Sequence, residues 1–363
     1  MRRSPNDRGA MSRAFHAAGA LLAITGIATA QAPSCAAAPS SLTPESWKAP
    51  MPVAAAGASR APLALRRELP LPGPANRFDY QTIDAAARRL YMNHMNAGVT
   101  LAFDLERDSI IGSVSDVPRA TGVLVVPERR ALYISAAGAH EVAAVDTRTL
   151  SVVARVGGIT FPDGIAYAPA EGRVFVSDER GGAEVVIDAA TNAKLATIEL
   201  GGEAGNTHYD SVSHCILVAV QTRDQLVAID PAEARVVQRY DLPGAKEPHG
   251  FTIDEAGRLA FISCQGNAKL LVLDLRTMKV LRAYDVGSDP DVLAWDAEWR
   301  RLYVATEGGV MNAFLADGAT LVPIGDIRAP HAHTVSVDPR THRVFLPLEN
   351  IDGRPVLRIY APR

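Results

Sequence analysis

One unit of about 42 residues recurs seven times along the chain, and that period limits the architecture before any single residue is weighed. The copies read TIDAAARRLYMN from Thr82, VVPERRALYIS from Val125, YAPAEGRVFVS from Tyr167, YDSVSHCILVA from Tyr209, TIDEAGRLAFIS from Thr252, AWDAEWRRLYVA from Ala294 and SVDPRTHRVFLP from Ser336. They align on Tyr91, Tyr133, Phe175, Leu217, Phe261, Tyr303 and Phe345. Seven residues before each lies a reference position, at Asp84, Val126, Ala168, Asp210, Asp254, Asp296 and Asp338. The steps between these are 42, 42, 42, 44, 42 and 42 residues.

Within each unit, short runs rich in Val, Ile, Leu and Tyr are separated by Gly, Asp, Asn and Pro, which is strand-and-turn chemistry and leaves no room for a helix. Blade-sized units of this kind bury their faces only against one another, so the pattern predicts an all-β, seven-bladed β-propeller with four antiparallel strands per blade. The second unit shows the plan: GVLVV from Gly122, ALYIS from Ala131, EVAAVD from Glu141 and SVVARV from Ser151 supply strands A to D. The seventh unit runs out after strand C. Residues 65–73, LRRELPLPG, resemble the outer-strand stretches VQRYDLPG and VLRAYDVGS, and are expected to complete the last blade from the N-terminal side, leaving no open edge.

The first thirty residues stand outside the repeat. Arg2, Arg3, Arg8 and Arg13 precede the apolar residues 17–28, and Ala28-Thr29-Ala30 fits an A-x-A cleavage site. Residues 1–30 therefore read as a secretory signal, with Met11 as an alternative start, and the mature chain as periplasmic or secreted. The apolar run is too short to span a bilayer. Residues 31–60 are rich in Ala, Pro and Ser and read as a flexible segment that need not fold; residues 61–363 read as a single propeller, since a ring grows by adding blades. Losing the first thirty residues removes four Arg and one Asp and moves the net charge from −3 to −6. That mild acidity, without a basic cluster, argues against nucleic acid as a partner. Cys215 and Cys264 fall at opposite ends of neighbouring strands, which argues against a bridge between them, and Cys35 is a candidate for lipid modification. No C-x-x-C-H or paired-Cys metal pattern occurs.

Two motifs recur inside the units. Strand A opens on P-x-G-[IF], as in Pro162-Asp163-Gly164-Ile165 and Pro248-His249-Gly250-Phe251; strand B reads as Tyr133-Ile134-Ser135, Phe175-Val176-Ser177 and Tyr303-Val304-Ala305. Over residues 63–363 the repeat resembles the YVTN or YncE-like seven-bladed propellers of bacteria. The resemblance implies the fold and export, and it assigns no reaction, because its motifs are turn and core residues. The repeat also resembles the streptogramin lyases, which eliminate with a metal activating a carbonyl and a His acting as base. Pro248-His249-Gly250 matches the strand start from which such lyases present a His. Their Glu-x-His is replaced here by His331-x-His333 and Asp289-x-Asp291.

Asp104, Asp146, Asp188, Asp230 and Asp274 recur in register at the ends of C strands and read as turn caps rather than as a functional array. A different register carries the chemistry. Five residues before each reference position, where strand A enters the central channel, stand Asp79, Thr121, Asp163, Gly205, His249, Asp291 and His333. A core position has no need of that composition, whereas polar side chains converging on a concave mouth are what a ligand site requires. His331 is expected on the same side as His333. Loops reaching the same face carry Asn93-His94, His140-Glu141, Asp178-Glu179-Arg180, Arg223-Asp224, Glu307 and Glu349, and the two extra residues of the fourth step fall in the loop leading to Glu247 and His249. Imidazole with carboxylate suits a first-row divalent ion, and the set His249, Asp291 and His333 is the expected metal group. The sequence thus points to a propeller that binds a small ligand or a divalent metal through Asp79, Asp163, His249, Asp291, His331 and His333. One alternative is a metal-dependent lyase or hydrolase with His249 and His333 as catalytic groups. Another is a protein-interaction scaffold that uses its loops and the Arg-rich turns Arg88-Arg89, Arg129-Arg130 and Arg300-Arg301, which otherwise read as solvated turns.

Overall fold

In each unit the aromatic residue or Leu of strand B is the side chain around which a blade packs. Tyr91, Tyr133, Phe175, Leu217, Phe261, Tyr303 and Phe345 are all buried. Burying a side chain of this size stabilises by roughly 1.5–3 kcal/mol, and the repeat places one in every blade. The computed structural model describes Cys35, Ala36 and residues 63–363. The expected signal and nearly all of the segment 31–60 lie outside the described residues. Among the described residues, seven four-stranded antiparallel sheets form the blades of a β-propeller. Among the same residues the helical content is confined to single 3-10 turns in loops, such as Gln265–Asn267.

The third blade is typical, with strands Pro162–Ala168, Arg173–Asp178, Ala183–Asp188 and Lys194–Glu199 paired in chain order. Its B strand is almost wholly buried, while the outermost strand is mostly exposed, with Ala196 half-buried and Ile198 buried. Seven apolar clusters among the described residues each bridge two adjacent blades. The core is therefore a ring of interfaces, as expected of units that bury their faces only against neighbours.

Blade seven closes the ring as the sequence predicts. Leu63–Pro70 pairs antiparallel with Arg354–Pro362, which pairs with Val344–Ile351 and through it with the short inner strand Ser336–Val337. The chain then returns through residues 71–80 to blade one.

The turn register is also as read. Asp104, Asp146, Asp188 and Asp230 each accept two backbone N–H bonds from the residues two and three further on, and Asp274 accepts one from Arg276. Two sequence expectations are corrected. Arg88 is no solvated turn residue: its guanidinium donates to both carboxylate oxygens of Asp338 in blade seven, at 2.8 and 2.6 Å. Cys35, placed by sequence in a segment with no need to fold, is bonded to Cys215 of blade four, and the Ala36 N–H donates to the Ser213 carbonyl at 2.8 Å. That bond uses the sulfur that lipid attachment would need. Cys264 is buried and free.

Candidate functional site

The geometry of the channel mouth is set by how closely neighbouring A strands approach. Immediately after the ring position, blades two, three and five carry Gly122, Gly164 and Gly250. A Cβ at Gly122 would lie 1.8 Å from the Asp163 carbonyl oxygen, and one at Gly250 only 2.0 Å from the Asp291 carbonyl oxygen. Glycine is required there because the next blade's backbone fills the space. Hydroxyls of the B strands then fix the ring backbone. Ser135 donates to the Asp163 carbonyl at 2.7 Å, and Ser263 to that of Asp291 at 2.8 Å. Asn93 donates its amide to the Thr121 and Gly122 carbonyls. Ser135 and Ser263 of the strand-B motif thus buttress the adjoining blade's ring residue.

On this frame Asp79, Asp163, His249, Asp291 and His333 converge on one cavity of about 340 Å³. All five are buried. His333 is the hub: Nε2 lies 3.0 Å from Asp79 Oδ1 and 3.3 Å from Asp291 Oδ2, and Nδ1 lies 2.8 Å from Glu307 Oε1. His249 Nε2 lies 3.3 Å from the Tyr80 hydroxyl, 3.5 Å from Asp291 Oδ1 and 3.8 Å from Asp163 Oδ2. Gln265 donates to Asp291 Oδ2 at 2.9 Å. Asp291 Oδ1 and His249 Nδ1 are buried without a hydrogen-bond partner, so the cluster is not self-satisfied.

The charges respond to one another. Burial alone would lower the pKa of His333, but Asp291, Asp79 and Glu307 carry it up to about 10, so it is an imidazolium at neutral pH. Glu307 is held down at about 2 by the hydrogen bond with His333, against burial and with help from Arg77. Asp163 goes the other way: burial, then the carboxylates of Asp79, Glu179 and Asp291, push its pKa well above the ordinary value. Carboxylate crowding on this scale is an environment that accepts a further cation.

Several placements differ from the sequence expectation. His331 does not join the cavity: its side chain is mostly exposed and its Nδ1 lies 3.5 Å from Glu349. The reason is local. His331 adopts φ +54° within a turn in which the Ala332 N–H bonds the Ala329 carbonyl, so residues 331–333 are not extended and their side chains do not share a side. The metal-capable group is also different: the donor atoms of Asp291, Glu307 and His333 lie within 4.8 Å of one another, and His249 is not among them. Glu307, after strand B of blade six, reaches His333 Nδ1, whereas His249 Nε2 is shared among Tyr80, Asp291 and Asp163.

Of the other loop residues named from sequence, Glu179 and Arg180 line the cavity with Glu307. His94 is buried instead against Phe78, ring centroids 4.1 Å apart. Glu247, delivered by the loop with the extra residues, stays outside the lining. Sequence reasoning missed Arg77, Tyr80, Arg119, Phe161 and Gln265, all of which line the cavity. A signal for three of them was present, since Arg77, Arg119 and Phe161 occupy one repeat position, two residues before the ring.

No protein-family model matches the chain, and no curated protein matches it. Among solved structures it is similar to Kuenenia stuttgartiensis hydrazine synthase, with a TM-score of 0.66 at 15% identity, covering 84% of this chain and 98% of that one. The shared property is the fold. Likeness at that identity carries no chemistry, and the site has to be argued from its own residues.

Proposed function

We propose that the chain is an exported, YncE-like propeller that binds a divalent metal ion at its channel mouth through Asp291, Glu307 and His333. The observation that carries this reading is the approach of one imidazole and two carboxylate donors to within 4.8 Å in a largely buried, acid-rich cavity. The donor set suits a first-row divalent ion, which would replace the His333 proton as the charge balancing these carboxylates. Export is supported by the signal-like first thirty residues and by the Cys35–Cys215 bond, which suits an oxidising compartment.

A specific contact favours a second reading, in which the mouth holds a small organic ligand without metal. Arg77 already places Nη1 2.7 Å from Glu307 and Nη2 3.0 Å from His333 Nε2, so a guanidinium stands where the ion would compete. Elemental analysis of protein purified without chelator or affinity tag, beside Asp291→Asn, separates the two. Close to one ion per chain in the parent and little in the variant supports the metal site. A parent that stays empty after reloading removes the metal and leaves the organic-ligand reading.

A further inference from the structure

The channel mouth carries a second, outer ring whose charges are divided between its two halves. Two residues before each inner-ring position stand Arg77, Arg119 and Phe161 on blades one to three, Glu203, Glu247 and Asp289 on blades four to six, and His331 on blade seven. The repeat holds these positions equivalent, so the division is one of sequence laid on a symmetric frame. Arg77 is committed to the carboxylates of Glu307 and Asp79. Arg119 is not: it is exposed, lines the cavity, and makes no ion pair among the described residues. Arg180, on the B-to-C loop of blade three, is likewise exposed, lines the cavity and makes no such pair.

These two guanidinium groups share one support. Arg119 Cζ lies 5.0 Å and Arg180 Cζ 4.4 Å from the centroid of the Phe161 ring, which is itself buried. Phe161 is fixed from below. Asp178 accepts the N–H groups of Thr160, Phe161 and Gly181 at 2.8, 2.7 and 3.1 Å, and the Glu179 N–H bonds the Phe161 carbonyl at 2.9 Å. One carboxylate therefore ties the loop that carries Phe161 to the loop that carries Arg180. Two exposed arginines that both pack on the Phe161 ring and line the same cavity, neither of them in an ion pair among the described residues, offer guanidinium donors suited to a planar or tetrahedral anion. Contact with the aromatic ring also stabilises each cation.

We infer that Arg119 and Arg180 bind an anionic group, carboxylate or phosphate, of a small ligand whose other end reaches the acidic side of the cavity at Asp291 and Glu307. This rests on reading the channel mouth as a binding site, and it adds the ligand's charge pattern. The test is calorimetric titration of the full chain with succinate and, separately, inorganic phosphate, each with and without Mn²⁺, and of Mn²⁺ alone. The proteins are the parent, Arg119→Gln/Arg180→Gln and Asp291→Asn. Both arginines are exposed, so the double variant should stay folded, losing only its surface cation–π contacts with Phe161.

The expected result is that at least one anion binds the parent and binds the double variant roughly tenfold or more weakly, each arginine contributing a charge-assisted bond. Which anion does so separates a carboxylate ligand from a phosphate one. Equal anion affinity in parent and double variant, or no binding of either anion to the parent under any condition, overturns the proposal. Mn²⁺ failing to bind while the arginine dependence persists removes the metal reading alone. Mn²⁺ binding unchanged by the double variant but lost in Asp291→Asn, with no arginine dependence of either anion, keeps the metal reading and removes this one.

Discussion

Arg77 shows how much a single side chain decides at the mouth. Its guanidinium lies against Glu307 and His333 and 3.8 Å from Asp79, so it supplies positive charge to the same donors that a metal ion would use. Two cations cannot share that volume, and binding of one must displace the other. Arg77→Gln removes the resident charge and keeps a hydrogen-bonding tip; divalent-cation affinity measured by titration should rise about tenfold, the scale of one charge-assisted bond. A fall in affinity would mean that Arg77 holds the acids in place rather than competing for them. The missed role of this residue has a simple cause. Arg77 lies in the crossing from the closing strand into blade one, and its partners His333 and Glu307 are more than 200 residues away in sequence. Its repeat position was legible; its partners were not.

At the scale of the element, the start of strand A does two jobs, aiming a side chain into the channel and letting the next blade's backbone pass. Gly250 and Ser263 divide the second task around Asp291, one by absence of a side chain and the other by a hydroxyl bond that also reaches the Gly250 carbonyl at 2.9 Å. Gly250→Ala must move a backbone carbonyl rather than a flexible side chain. Overpacking of this kind costs about 1–3 kcal/mol, and it should lower the denaturant midpoint and weaken ligand binding together. Ser263→Ala loses the hydroxyl bonds without forcing a clash and should cost about 1 kcal/mol. If Gly250→Ala behaves like Ser263→Ala, close approach of the strands is not what positions Asp291. The P-x-G motif was visible in the sequence as a turn-and-core signature. Its part in setting the site follows only from seeing which carbonyl lies opposite the glycine.

The whole molecule depends on closing the ring between blades seven and one, where the N-terminal strand Leu63–Pro70 completes the last sheet and Arg88 bonds Asp338. Burial opposes ionisation of Asp338, but hydrogen bonds from Arg88 and Thr341 hold its pKa at about 2, below the ordinary 3.8. A folded-state pKa below the unfolded one adds stability that is complete above about pH 4 and is lost as pH falls towards 2; the shift corresponds to roughly 2 kcal/mol. Urea unfolding between pH 2 and 6 should show this slope, and Asp338→Asn should flatten it while lowering stability at neutral pH. A second closure joins Cys35 to Cys215, 180 residues apart. Because such a bond restricts the unfolded chain, reduction should destabilise by roughly 2–4 kcal/mol. Thermal unfolding of reduced parent and of oxidised Cys35→Ser should then coincide, with the buried Cys264 thiol, raised to about 12, taking no part.

By itself the sequence determined the repeat, the number of blades, the strand order, the closing strand and the capping aspartates. Each depends on period-two alternation and turn chemistry that act within one 42-residue unit. It also determined which repeat position carries Asp79, Asp163, His249, Asp291 and His333, because symmetry makes equivalent positions converge. Tertiary structure decided the rest. His331 left the ring through a left-handed turn, Glu307 displaced His249 from the metal-capable group, Arg77 and the Arg119–Phe161–Arg180 platform entered the cavity, and Cys35 found Cys215. Apart from the local turn at His331, these join residues from different blades or loops, where distance in space is unrelated to distance along the chain. Electrostatic and steric terms acting over a few ångströms across an interface leave no periodic trace in the sequence.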